Sequence, residues 1–190
     1  MSQTDSNATR PVVVMTSQAI TSAVEAIARE IVEHHADMDK VVLLGILSRG
    51  RPLADRIAEE IAAQTATRPR VGSLATTLYR DDLRSGMGAA KISARETHFD
   101  FDVGDATVVL VDDVIGTGRT ARAALDEVMD YGRPARIRLA CLIDRGLREL
   151  PIQPDFLGKT IETESDDHVS VRLNETDGED IVLLRRAETS

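Results

Sequence analysis

The sequence predicts an α/β fold: a mainly parallel twisted sheet flanked by helices. Three apolar runs, Val41 to Ile46, Thr107 to Val111 and Ile137 to Ile143, are short and continuous, as in strands covered on both faces. Segments of helical period lie between them, which implies right-handed crossovers and a parallel sheet. The chain is 42% apolar but only 3% aromatic, so Val, Ile, Leu and Ala must fill the core.

Residues 1–11 are polar and lack apolar periodicity, the pattern of a disordered leader, and residues 12–190 suit one domain by size. Thr16 or Ser17 can cap a first helix, in which Ile20, Val24, Ile27 and Ile31 form one stripe through about His34. After the Val41 to Ile46 strand, a turn at residues 47–50 leads to a helix that starts near Pro52. Leu53, Ile57 and Ile61 carry it to about Gln64. Val71 to Tyr79 has β-formers in loose alternation and reads as a strand. Arg80 to Asp105 has glycines, charges and little periodicity, so it is a candidate lid. The Thr107 to Val111 strand is expected to end in an Asp-Asp loop, followed by a helix from about Arg119 to Tyr131 and a stop at Gly132. Beyond Asp144 the pattern is irregular until Val169 to Leu173 and Ile181 to Leu184, which flank Asp177-Gly178 as a hairpin would.

Composition excludes several functions. A net charge of -9 disfavours a generally nucleic-acid-binding surface, although residues 133–159 locally reverse the sign. The single cysteine, Cys141, sits in an apolar run and reads as a buried thiol, with no internal disulfide to form. With no signal peptide and no apolar run of ~18 residues, a soluble cytoplasmic protein is expected. His34, His35, His98 and His168 have no triad-like setting and receive no catalytic role.

The segment after the second core strand carries the chemistry. Asp112 and Asp113 make the chain abruptly acidic at the carboxyl end of a strand, the edge where open α/β sheets bind ligands. Val114 and Ile115 follow, then Gly116, Thr117, Gly118, Arg119 and Thr120, just before a helix. Amides exposed by glycines at a helix N-terminus cradle an anion, and the threonines add hydroxyls. A phosphate there, with two carboxylates nearby to accept from vicinal hydroxyls or hold a hydrated Mg²⁺, describes a phosphoribosyl group. The segment lacks the lysine of a P-loop and the glycine spacing of a dinucleotide fingerprint. A turn plus helix caps would explain any one of these residues, but explains the combination poorly.

At these residues the sequence resembles the type I phosphoribosyltransferases and their PRPP-binding motif. Five segments narrow the resemblance to the PyrR family of uracil phosphoribosyltransferases and pyrimidine operon attenuators: Thr77 to Leu83, Tyr131 to Pro134, Asp144 to Gly146, Arg148 to Ile152 and Gly158-Lys159. The resemblance implies the type I phosphoribosyltransferase fold, with a small hood formed largely by about residues 144–165 and a flexible loop over about residues 80–105. It implies that uracil reacts with PRPP to give UMP and pyrophosphate, with Mg²⁺ as cofactor. Asp112 and Asp113 would address the ribose and the metal shell, indirectly through PRPP and water. Ser48, Arg49 and Gly50 would hold pyrophosphate, Arg80 would close over it, and Phe156, Leu157, Gly158 and Lys159 would read the base. The same resemblance implies pyr leader mRNA as a partner, contacted by Arg29, Arg148 and Lys159, and a homo-oligomer is expected.

The chain departs from that family in ways that bear on RNA. Glu25, Ala26, Glu30, Leu147 and Gln153 stand where attenuators tend to carry polar or positive groups, and each lost phosphate contact weakens binding. Gly116 stands where that family usually has an aromatic residue. The rival readings are an RNA-binding attenuator with little catalysis, and a phosphoribosyltransferase for another base such as a purine or orotate.

Overall fold

The structure, a computed structural model, describes residues 10–76 and 97–187. In chain order the elements are β1 (Val12–Met15), α1 (Ser17–His34), β2 (Val41–Ile46), α2 (Gly50–Thr65), β3 (Arg70–Leu74), β4 (Thr107–Ile115), α3 (Arg119–Tyr131), β5 (Arg136–Asp144), β6 (Phe156–Thr160), β7 (His168–Arg172), α4 (Asn174–Asp177) and β8 (Ile181–Arg185). Five strands form a parallel sheet in the order β3-β2-β4-β5-β6. The antiparallel sheet β1-β8-β7 stands beside it.

Strand alternation divides the core in two. Leu43, Val109, Val111, Ala140 and Leu142 meet Ile20, Val24, Ile27, Leu53 and Ile57 of α1 and α2. Val42, Leu44, Val108, Leu110, Leu139 and Cys141 meet Ala121, Ala124 and Val128 of α3. This is why every residue of β2 is buried and why its sequence shows no polar alternation. Val171 and Val182 of the small sheet belong to the α1/α2 side of the core, so one apolar layer joins the two sheets.

The structure departs from the sequence expectations at several places. β4 runs through Ile115 and stays paired with β5 at Asp112↔Cys141 and Val114↔Ile143, so the acid pair lies on the strand and not in a loop. The strand expected over 71–79 spans Arg70–Leu74, and 77–79 lie outside the described residues. β1 and β6 went unnoticed: each is a short sheet-edge strand with one face exposed, so its apolar pattern is weak. Of the candidate lid, residues 80–96 lie outside the described residues. From Thr97 onward the chain is tied down: His98 exchanges backbone bonds of 2.9 Å with Ser73, and Val103 is fully buried. Of the expected hood segment, 156–160 forms the edge strand of the parallel sheet.

Candidate active site

The strand order places a topological switch point between β2 and β4. From β2 the chain passes through α2 to β3 on one side, while β4 begins the series that runs to β5 and β6 on the other. The segments leaving the carboxyl ends of β2 and β4 therefore diverge and leave a crevice, the usual ligand site of such sheets. A cleft of about 1030 Å³ opens there. Leu47 and Arg49 line it from the β2 end, and Asp112 to Gly118 with Thr120 line it from the β4 end. Arg145, Leu147 and Arg148 follow from the β5 end, and His168 to Val171 of β7 form the far wall.

Pairing with β5 holds the acid pair. Asp112 is buried, and its Oδ1 accepts the Asp113 amide at 2.9 Å. The chain then turns at Gly118, whose φ of +90° is readily adopted only by glycine, and α3 begins at the next residue. The cleft thus receives the positive end of the α3 dipole. Thr117 Oγ accepts the Arg119 amide at 3.3 Å, and its carbonyl accepts the amides of Glu149 and Leu150, each at 3.0 Å.

The segment after β5 braces this loop from below. Arg148 Nη1 donates to the Gly116 carbonyl at 2.8 Å and Nε to the Ile152 carbonyl at 2.7 Å, while both terminal nitrogens reach Asp144. Burial pushes the Asp144 carboxyl up, but the Arg148 guanidinium and the Gly146 amide outweigh it and hold the group below its ordinary range. Arg145 spans the loop from the other direction, with its head on Thr163 Oγ and on the carbonyls of Glu164 and Asp167. Its aliphatic stem passes over Gly116, where an added Cβ would lie 3.4 Å from Arg145 Cδ.

On the β2 side, Arg49 is forked onto Asp177, with Nε to Oδ2 at 3.2 Å and Nη2 to Oδ1 at 2.8 Å. That hydrogen-bonded pair raises the arginine pKa and holds Asp177 well below the usual carboxylate range. Asp113 adds to the negative field at Arg49. Gly50 serves close packing: a Cβ there would sit 2.2 Å from the Val111 carbonyl oxygen. The two cleft-forming segments are thereby pressed together one residue before Asp112.

A cleft at the switch point, with an acid pair running into a glycine and threonine loop at a helix N-terminus, has counterparts. The phosphoribosyl transferase domain model matches residues 14–176. The bifunctional protein PyrR of Chloroflexus aurantiacus is 51% identical over 177 residues, covering 93% of this chain and 96% of the relative. PyrR of Clostridioides difficile is 45% identical over 171 residues, covering 90% and 96%. The chain belongs to the phosphoribosyltransferases and, within them, to the PyrR family. Among solved structures, the hypoxanthine phosphoribosyltransferase of Trypanosoma cruzi in complex with IMP superposes with a TM-score of 0.68 at 17% identity, over 93% of this chain and 91% of that one. A hypoxanthine-guanine-xanthine phosphoribosyltransferase gives 0.65 at 14%, over 93% and 94%. At those identities the structures show a common fold.

The fold brings together Arg49, Asp112, Asp113, Val114, Ile115, Gly116, Thr117, Gly118 and Thr120 of the residues singled out in the sequence. Arg119 lies beside them, its Nε 2.9 Å from Glu149 Oε2. Ser48 and Gly50 flank Arg49 but are not part of the cleft lining, and Arg80 lies outside the described residues. Phe156 to Lys159 do not line the cleft: Phe156 is core, Gly158 packs against Ala23, and Lys159 Nζ donates to the Val14 carbonyl at 3.1 Å. Sequence reasoning missed the far wall, His168 to Val171, and the brace made by Arg145. The only sequence signal for that wall was a hairpin, which says nothing about the loop it faces.

Proposed function

We propose that this protein transfers the phosphoribosyl group of PRPP to uracil, forming UMP and pyrophosphate. One observation carries the reading: the acid pair of β4 leads directly into the α3 loop, and both face Arg49 across the switch point. The 5-phosphate belongs at residues 116–120, where the helix dipole and threonine hydroxyls favour a dianion. Asp112 and Asp113 accept from the ribose hydroxyls. Ser48, Arg49 and Gly50 form the pyrophosphate end, where Arg49 neutralises the departing charge. The role of Arg80 in closing over that end rests on the family resemblance.

Uracil N1 forms a bond to ribose C1 as the bond from C1 to the pyrophosphate oxygen breaks and the N1 proton leaves to solvent. No protein nucleophile is needed, so catalysis consists of positioning the two reactants and stabilising the leaving charge. The base is assigned to the β7 side of the cleft, where Val169, Ser170 and Val171 line the wall, in place of Phe156 to Lys159.

The residues fit Mg²⁺ brought in with PRPP. Among the described residues no group of three or more His, Cys, Asp or Glu side chains could hold a metal, yet two carboxylates reach the cleft. Mg²⁺ commonly takes one or two carboxylates and completes its shell with water and substrate oxygens. Bound in that way, it would neutralise pyrophosphate charge.

Family membership also supports UMP-responsive regulation of pyrimidine genes through pyr mRNA. Arg29 is exposed on α1, but Lys159 is bonded to the Val14 carbonyl and Arg148 is folded inward onto Asp144. Together with the net charge of -9, this makes RNA binding weak and strongly salt-dependent. Among the described residues no helix is long and apolar enough to cross a membrane.

A UMP-formation assay with uracil, PRPP and Mg²⁺, run beside hypoxanthine and orotate, tests the catalytic reading. Uracil should be used and the other bases should not; a preference for either competitor overturns the uracil assignment. Filter binding with pyr leader RNA should show weak retention. Tight, UMP-sensitive retention with negligible turnover would favour the attenuator instead.

A further inference from the structure

A guanidinium carries five N–H donors in a planar fork on a long flexible stem. In Arg49, Nε and Nη2 are both committed to one carboxylate, that of Asp177, 128 residues away. Such a side-on contact fixes the plane of the guanidinium as well as its position. The Nη1 edge is left outside the fork, on a residue that lines the cleft. Asp177 is itself held: its Oδ2 accepts the Leu173 amide at 3.0 Å and the Thr176 hydroxyl at 2.7 Å. A carboxylate fixed at two points besides the fork is a rigid anchor for a long, flexible arginine.

The anchor comes from a telling place. Asp177 ends α4, the connection between β7 and β8, and β7 forms the far wall of the cleft. Farther along α2, Arg56 repeats the tie by reaching Glu175 at 2.6 Å and Asp180 at 2.7 Å. Two arginines of α2 and its leading turn are thus bolted to the connection that leaves β7, the strand that walls the cleft.

We propose that Asp177 is a positioning residue for the pyrophosphate end of the site: it holds the Arg49 fork so that the remaining donors meet the leaving group. Through the same contact it ties the leaving-group segment to the sheet assigned to the base. The proposal rests on the phosphoribosyltransferase reading given above. A positioning role differs from a merely structural one because it acts on pyrophosphate and PRPP and not on UMP, which lacks the pyrophosphate.

The test is calorimetry on the full chain with magnesium pyrophosphate, PRPP and UMP in turn. Asp177→Asn keeps an oxygen for the Leu173 amide while breaking the fork. It should weaken pyrophosphate and PRPP by about tenfold, the scale of a lost charge-assisted contact, and shift UMP by less than about twofold. Its KM for PRPP should rise while its KM for uracil holds. Arg49→Ala should lose at least as much, and adding Asp177→Asn to it should weaken pyrophosphate no further. Arg49→Lys leaves Asp177 and its cap untouched but cannot make the fork, so it should also lose pyrophosphate affinity even if Asp177→Asn fails to fold. Unchanged pyrophosphate affinity in Asp177→Asn or Arg49→Lys overturns the proposal. Tighter binding in Asp177→Asn also overturns it, because Asp177 would then be a competitor. Equal losses for pyrophosphate and UMP would make the role structural and overturn it as well. If the unaltered protein binds neither PRPP nor UMP, the functional reading itself fails, an outcome separate from all of these.

Discussion

Arg148 grips both oxygens of Asp144, Nη1 to Oδ1 at 2.9 Å and Nη2 to Oδ2 at 2.7 Å, and the same Nη1 also donates to the carbonyl of Gly116 at 2.8 Å. The pair is mostly shielded from solvent, with side-chain exposures of 14% and 13%. One arginine therefore links the end of β5 to the loop assigned to the phosphate.

Removing that arginine should be costly. Arg148→Ala removes the donor to a shielded carboxylate and to three backbone carbonyls, and a loss of about 2 kcal/mol in unfolding free energy is expected. Arg148→Lys should recover little, because an ammonium cannot meet both carboxylate oxygens and Gly116 together. Urea denaturation measures both; a Lys variant as stable as the native protein would contradict the bidentate role.

Acid should destabilise the fold through its paired carboxylates. Asp177 and Glu175 are lowered by their hydrogen bonds from Arg49 and Arg56. In Asp144 and Asp180 burial acts in the opposite sense and is outweighed by Arg148 and Arg56. Carboxyls with depressed native pKa bind fewer protons folded than unfolded, so their stabilisation is present above the unfolded values of 3.8 and 4.5 and is lost as pH falls. Urea midpoints should hold steady between about pH 6 and 8 and drop below about pH 4. A midpoint at about pH 3 equal to that at about pH 6 would show that these pairs contribute nothing.

Joint replacement of Asp112→Asn and Asp113→Asn should lower turnover by about a hundredfold or more while the fold survives, because size is kept and only the charge assigned to ribose and metal is lost. Near-normal UMP formation by the double variant would refute the assignment of the acid pair.

Two glycines of one loop should respond oppositely to alanine. At Gly116 the new methyl would meet only the Arg145 stem, 3.4 Å away, and reduced freedom in the unfolded chain should stabilise by about 0.5 kcal/mol. At Gly118, φ of +90° imposes strain, and a loss of about 1 kcal/mol or more is expected. Thermal midpoints of the two variants should therefore move in opposite directions.

Gly50→Ala should be worse than either. Its methyl would sit 2.2 Å from a backbone oxygen of β4 that cannot step aside, so a loss of about 3 kcal/mol is expected by urea denaturation. A native-like midpoint would mean that α2 can back away from β4.

Much of this was legible in the chain. The Ile20, Val24, Ile27, Ile31 stripe gives α1 from Ser17 to His34, and the buried run at Val41 to Ile46 gives β2, because helical period and double-sided burial leave strong local patterns. The 112–120 segment was readable for a similar reason: strand end, acids, glycines and helix start are contiguous. β6 was not readable, since an edge strand with only Phe156 buried carries little pattern. The placement of Phe156 to Lys159 outside the cleft lining was equally hidden, because which side an edge strand shows depends on its neighbours.

By itself the sequence determined the α/β class, the order of most elements and the glycine loop that opens α3, all of which depend on residues near one another in the chain. Tertiary structure alone decided that β7 walls the cleft, that Arg145 covers Gly116 and that Arg49 meets Asp177. Those contacts join segments far apart in the chain, and no local periodicity records which distant side chain a folded sheet brings within hydrogen-bonding reach.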